Sequence, residues 1–210
     1  MSLWAFFAGH RVEIWTAIRQ HLFLVGVSMA IAIAIAVPLG ILIVSRPRLR
    51  ALALAVANIF QTIPSLALFG FLIPLPLLGG IGAQTAIVAL VLYALLPILR
   101  NTYVGLTGID PAILEAAEAI GMTDMQVMFR VRLPLATSFI LAGIRTATVI
   151  TIGIATIAAA IGAGGLGTFI FRGVAMVSNV VILAGAVPSA ALALLADYAL
   201  GLLERKLRIT

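Results

Sequence analysis

The sequence predicts an all-α integral membrane protein: a bundle of five transmembrane helices with a polar helical hairpin between the third and fourth. Three observations predict it. Of the 210 residues, 63% are hydrophobic and only 10% charged, at a mean hydropathy of +1.25, whereas soluble domains carry about 25% charged residues. Five apolar stretches, at 22–44, 51–75, 85–106, 135–160 and 177–203, reach the roughly 20 residues that a helix needs to cross a bilayer. Between the third and fourth, residues 107–134 mix polar and apolar side chains at helical spacing. The chain, 1–210, reads as a single membrane domain.

Residues 1–20 interleave Trp4, Phe6, Phe7, Ile14 and Trp15 with Arg11, Glu13 and Arg19. Charges break any span there and tryptophans suit the headgroup region, so an interfacial helix is expected. No short cleavable leader is expected, because the first apolar run, from Leu22, is long enough to stay in the bilayer. The second span is interrupted by Gln61, Thr62, Pro64 and Ser65. Pro64 removes a helix hydrogen bond and should bend the segment. Polar side chains at a bend suit a pathway or gate, and equally suit polar glue between helices.

In the fourth span Arg145 lies roughly 16 Å beyond Pro134, near mid-membrane. Gly143, Ala147, Thr151, Ala155 and Ala159 repeat at four-residue spacing, a stripe that permits close packing, and Arg145 points far from it. Both faces therefore need protein or water beside them, which places this span centrally. Asp197 is the only acid within a span and the natural partner for Arg145. A structural ion pair and a gate are both open readings of that couple.

Five crossings put the termini on opposite sides. With the carboxyl end in the cytoplasm, the inner side collects Arg46, Arg48, Arg50, Arg100, Arg130, Arg132, Arg205, Lys206 and Arg208. The outer side keeps only Arg11, Arg19 and Arg172. The positive-inside rule selects this orientation, amino terminus outside. It also explains the net charge of +6 without nucleic acid.

The hairpin is legible from its caps. Asp110 suits an N-cap and Pro111 the first helical position. Ile113, Ala116, Ala117 and Ile120 then form one apolar face, and Gly121 ends the helix as a left-handed residue. Thr123 with Gln126 reads as a capping box opening a second helix through Val127, Met128 and Val131, and Pro134 marks the start of the fourth span. The run Glu115-Ala116-Ala117, three residues, Gly121, nine residues, Val131, Arg132, Leu133-Pro134 resembles the EAA loop of permease subunits of bacterial ATP-binding-cassette importers. The stretches Gln61–Ala67, Ala94–Tyr103 and Ile161–Gly167 are similar to osmoprotectant permeases, those for glycine betaine, carnitine and choline.

The resemblance implies a type I importer fold and an ATPase-coupling role for Glu115, Ala116, Ala117, Gly121, Leu133 and Pro134. It implies ABC ATPase subunits as partners, a second permease subunit (identical or different) and an extracytoplasmic substrate-binding protein, all in the bacterial cytoplasmic membrane among its lipids. No cofactor is expected in this chain, since ATP and magnesium would sit on the ATPase. Consistently, no GxxxxGK[ST] loop exists, and Lys206 is the only lysine. Zero cysteines exclude disulfides and cysteine-ligated metals. Gly162, Gly164 and Gly167 have dinucleotide-fingerprint spacing but follow a membrane helix, so a closely packed outer loop is expected, a surface for the binding protein. His10 and His21 are expected near the outer interface without a role, and no enzyme is expected. Two alternatives remain: a permease for methionine or another amino acid, and an ATP-independent channel or scaffold.

Overall fold

The computed structural model describes residues 3–76 and 78–207. Residues 1–2, 77 and 208–210 lie outside the described residues, and with them Arg208 of the predicted inner charge. Among the described residues every regular element is helical.

The amino-terminal segment is divided differently from expectation. It is not one interfacial helix: α1 spans Leu3–Gly9, and α2 starts at Arg11 and runs unbroken to Ile43. Nothing between Arg11 and Leu22 is a glycine or proline; charges alter a helix's depth in the bilayer without stopping it. At 33 residues α2 is about 50 Å long, well beyond the ~30 Å hydrocarbon core. Instead of lying apart, α1 folds back on the bundle through Phe6, whose ring meets Phe169 edge-on at 6.2 Å between centroids. Phe6, Ile14, Ala17, Leu166, Phe169, Val181 and Ala184 form a small buried cluster there.

The second predicted span is not a straight crossing. It consists of α3, Pro47–Thr62, and α4, Ser65–Leu72, which meet at 105°. Pro64 was expected to bend the segment; with Ile63 and Pro64 both extended, it breaks the segment outright. Among the described residues four helices are therefore long and apolar enough to cross a membrane, or five spans if the bent pair counts as one.

The third span is α5, Ala83–Thr107, and the fifth is α10, Asn179–Lys206. Between them α8, Leu133–Ile157, packs against α2, α5 and α10, the central place expected for it. The small-residue stripe explains the approach. Gly143, Ala147, Thr151 and Ala155 are buried. A Cβ on Gly143 would lie 2.7 Å from the Cβ of Asn101 and 2.9 Å from the carbonyl oxygen of Pro97, both on α5. The fourth span does not begin at Pro134. A π-helical turn, Met128–Arg132, joins it without a break to the hairpin. The widened turn, whose bond runs from the Leu133 amide to the Met128 carbonyl, accommodates the proline ring that a regular turn would reject.

Beyond α8 a 3₁₀ turn, Ala158–Ile161, leads through the glycine loop to α9, Gly167–Ala175. Side-chain contacts group the ends of the helices. Arg132 donates to the Leu106 carbonyl at 2.9 Å and Arg50 reaches the Tyr103 hydroxyl, so α3, α5 and α8 share one end. Glu13 pairs with Arg172 at 2.6 Å and Gln20 accepts from the Gly165 amide at 3.0 Å, marking the other.

Candidate functional site: a projecting hairpin and a polar bundle face

The hairpin forms as its caps dictate. The Asp110 carboxylate accepts from the Ala112 amide at 2.9 Å, opening α6, Pro111–Ala119. Gly121 follows at φ +82 in open space. Thr123 and Gln126 then make the reciprocal capping box that opens α7, Asp124–Val127. Of the predicted apolar face only Ala117 is buried, while Ile113, Ala116 and Ile120 stay exposed. Glu115 and Glu118 are exposed as well, and so are Met125 and Phe129. Leu133 and Pro134 lie half-buried at the base of α8. This hairpin thus presents apolar side chains and two carboxylates away from its own bundle. A short helix with that surface buries too little to hold itself in place, which is the profile of a docking element.

The second feature lies along α8. Arg145 meets Asp197 of α10 fork to fork, Nε–Oδ1 at 2.6 Å and Nη2–Oδ2 at 2.8 Å, the geometry that makes Arg–carboxylate pairs strong. Its Nη1 lies 3.4 Å from Oε2 of Glu204. Gly201 makes room: a Cβ there would stand 3.1 Å from Nη1. Asp197 is the partner that the sequence offers Arg145, whereas Glu204 lies beyond the last predicted span. Beside the ion pair, Ser138, Ala142, Thr146, Val149, Gly153 and Thr156 form a face that is at least partly open, and around Gly153 there is empty space. Only Val149 among these is an aliphatic larger than alanine. Exposed apolar faces elsewhere are bulkier, as with Leu194, Leu195 and Leu202 on α10. The 3.6-residue spacing of this small, polar stripe was visible in the sequence beside the buried one.

Gln61, Thr62, Pro64 and Ser65 gather at the α3–α4 break. The Thr62 hydroxyl donates to the Ile59 carbonyl at 2.8 Å, and the Ile63 carbonyl accepts from the Tyr93 hydroxyl of α5. Tyr93 is thus the neighbour that satisfies a backbone carbonyl left over at the break. The break does not touch the Arg145 pair; the structure holds two separate polar features.

At the far end, Gly164 and Gly165 are tight against the chain's own α2. A Cβ on Gly164 would meet the Gln20 side chain at 2.6 Å, and one on Gly165 would meet His21 Nδ1 at 3.3 Å. The loop packs closely, as expected, but inward. His21 is accordingly fully buried beneath this loop. His10 stacks on Phe6, centroids 4.1 Å apart. Among the described residues no three His, Cys, Asp or Glu side chains gather as metal ligands would.

The family described as "Binding-protein-dependent transport system inner membrane component" matches residues 26–209. The chain is 52% identical over 153 residues to the glycine betaine/carnitine/choline transport system permease protein OpuCD of Bacillus subtilis, covering 72% of this chain and 66% of that protein. It is 46% identical over 187 residues to the osmoprotectant import permease protein OsmW of Salmonella typhimurium, 88% of this chain and 87% of the relative. A permease chain from inward-facing structures of the MetNI methionine ABC transporter superposes with a TM-score of 0.84 at 27% identity, covering 95% of this chain and 98% of that one.

Proposed function

Since the chain belongs to the family of binding-protein-dependent transport system inner membrane components, we propose that it forms the translocation pathway of an ATP-driven importer for a quaternary ammonium compatible solute such as glycine betaine, carnitine or choline. Relatives with osmoprotectant names match at 46–52% identity, against 27% for the methionine transporter chain. That gap favours the osmoprotectant reading over methionine.

The observation that carries the coupling role is the projecting α6–α7 hairpin. Its small residues Ala116 and Ala119 let a helix sink into a groove, and exposed Ile113 and Ile120 supply apolar contact. An ABC ATPase subunit occupies that surface, and ATP and magnesium are bound and used there, not in this chain. Closure of two such ATPases moves both docked hairpins and shifts the bundle toward an outward-open state, an effect limited to the difference in affinity between the two states. A second permease subunit completes the chamber, and an extracytoplasmic binding protein delivers the solute. Within this chain the pathway runs along the small polar face of α8, with the Gln61–Ser65 break and the Arg145–Asp197 pair at its walls. The end bearing Arg46, Arg48, Arg50, Arg130 and Arg132 faces the cytoplasm.

Detergent extraction of the tagged chain from its native host tests this reading. An ATPase is expected to co-purify, and the complex in liposomes should take up choline only with ATP inside and a binding protein outside. Uptake that proceeds without ATP would replace the importer by a channel.

A further inference from the structure

We propose that Glu204 and Phe139, with Ser138, form a site for an alkylammonium cation at the hairpin end of the α8 face. This rests on the importer reading for its sidedness alone. The charge balance is the first argument. Asp197 uses both carboxylate oxygens on Arg145, at 2.6 and 2.8 Å, whereas Glu204 touches the same guanidinium only through Nη1 at 3.4 Å. Among the described residues one cation therefore faces two carboxylates, and Glu204 is the more weakly held of the two. In a partly apolar setting a carboxylate so weakly paired favours a further cation beside it.

The second argument is the cavity. Glu204 lines a space of about 270 Å³ together with Ser138, Phe139 and Ala142. Phe139 is fixed at its root, its Cβ lying 2.6 Å from where a Cβ on Gly105 would be, yet its side chain is half exposed. A carboxylate, an aromatic ring, a hydroxyl and an alanine methyl complement a cation with an apolar coat. Divalent metal ions need several oxygen ligands, and a single carboxylate with one hydroxyl does not supply them. The site lies in the first turns of α8 and the last turn of α10, so it belongs to the release side. The alkylammonium group is that of a passenger solute or of a lipid amine headgroup.

The test uses the whole transporter, permease with its ATPase, in phosphatidylglycerol nanodiscs without binding protein. Radiolabelled choline is titrated, and its neutral tert-butyl isostere is offered as competitor. Wild type should bind choline and ignore the isostere, while Glu204→Gln and Phe139→Ala should each weaken binding about tenfold or more. Glu204→Asp and Phe139→Trp should retain it, which separates loss of chemistry from loss of fold. Failure of wild type to bind choline, equal binding by Glu204→Gln, or competition by the isostere would overturn the site. Native mass spectrometry of complexes extracted from phosphatidylethanolamine-rich membrane assigns the source. Loss of retained phosphatidylethanolamine in Glu204→Gln marks a lipid site, and unchanged retention marks a solute site. Binding-protein-dependent uptake by wild type, run in parallel, fails only if the importer reading fails.

Discussion

Gly121 stands at φ +82 with nothing within 4 Å of where a Cβ would be, so a substitution there meets backbone strain and no steric neighbour. A left-handed non-glycine residue costs about 1–2 kcal/mol, more for a β-branched one. Gly121→Val should therefore tilt α6 without disturbing the bundle. ATP hydrolysis by the complex should persist while uptake falls severalfold, read as the ratio of solute moved to ATP spent, with Gly121→Asn close to wild type. Normal coupling in the valine variant would separate the hairpin from ATPase docking. Arg145 makes a second prediction at the same scale. Removing either member of its pair with Asp197 leaves a charge facing the α8–α10 seam, so Arg145→Ala and Asp197→Ala should both lower the melting temperature in detergent. Because the two acids share one guanidinium, Asp197→Ala should cost less than Arg145→Ala, as Glu204 can take up the freed nitrogens. Equal losses would mean that Glu204 contributes nothing to the seam.

Elements differ in how much of them the sequence reveals, and the difference is physical. Caps are local: Asp110, Gly121 and the Thr123–Gln126 box need only residues within four positions, and each forms as its sequence prescribes. The extent of the bend at Pro64 is not local, because it depends on Tyr93 of α5 taking the freed Ile63 carbonyl. The start of α2 is a different case: no glycine or proline stands between Arg11 and Leu22, so the charges there set the depth of a helix and not its end. Glu204 was overlooked because the apolar run stops at Leu203, whereas α10 continues to Lys206 and brings Glu204 onto the face of Asp197 two turns below it. The break between α3 and α4 is open to test. Tyr93→Phe keeps the ring and deletes the donor, leaving a backbone carbonyl unpaired at about 1–3 kcal/mol. That variant should lower the melting temperature, while Pro64→Ala in the same background should recover part of the loss by letting α3 and α4 re-form helical bonds. Failure of the second change to compensate would show that the break is imposed by packing and not by the proline.

At the scale of the molecule, orientation joins the charge pattern to the coupling mechanism. One end of the bundle carries the α3 start, the α5 end and the hairpin, tied together by Arg50–Tyr103 and by Arg132 on the Leu106 carbonyl. The other carries Glu13–Arg172 and the loop held by Gln20. Positive charge crowds the first end, and the cost of moving such groups across a membrane sets the topology as the chain inserts. In the proposed importer a motor in the cytoplasm can pull only on a hairpin at that end. Zero native cysteines make the assignment direct, since each introduced thiol is unique. Ile120→Cys, on a residue 79% exposed beside Gly121, should resist a membrane-impermeant maleimide in sealed cells and react once the membrane is opened. Co-expression of the ATPase should slow that reaction in opened membranes, because docking covers the thiol. Val177→Cys, 92% exposed ahead of α10, should show the reverse sidedness and ignore the ATPase. Labelling of the Ile120→Cys thiol from outside would invert the bundle and remove every route by which ATP could reach it.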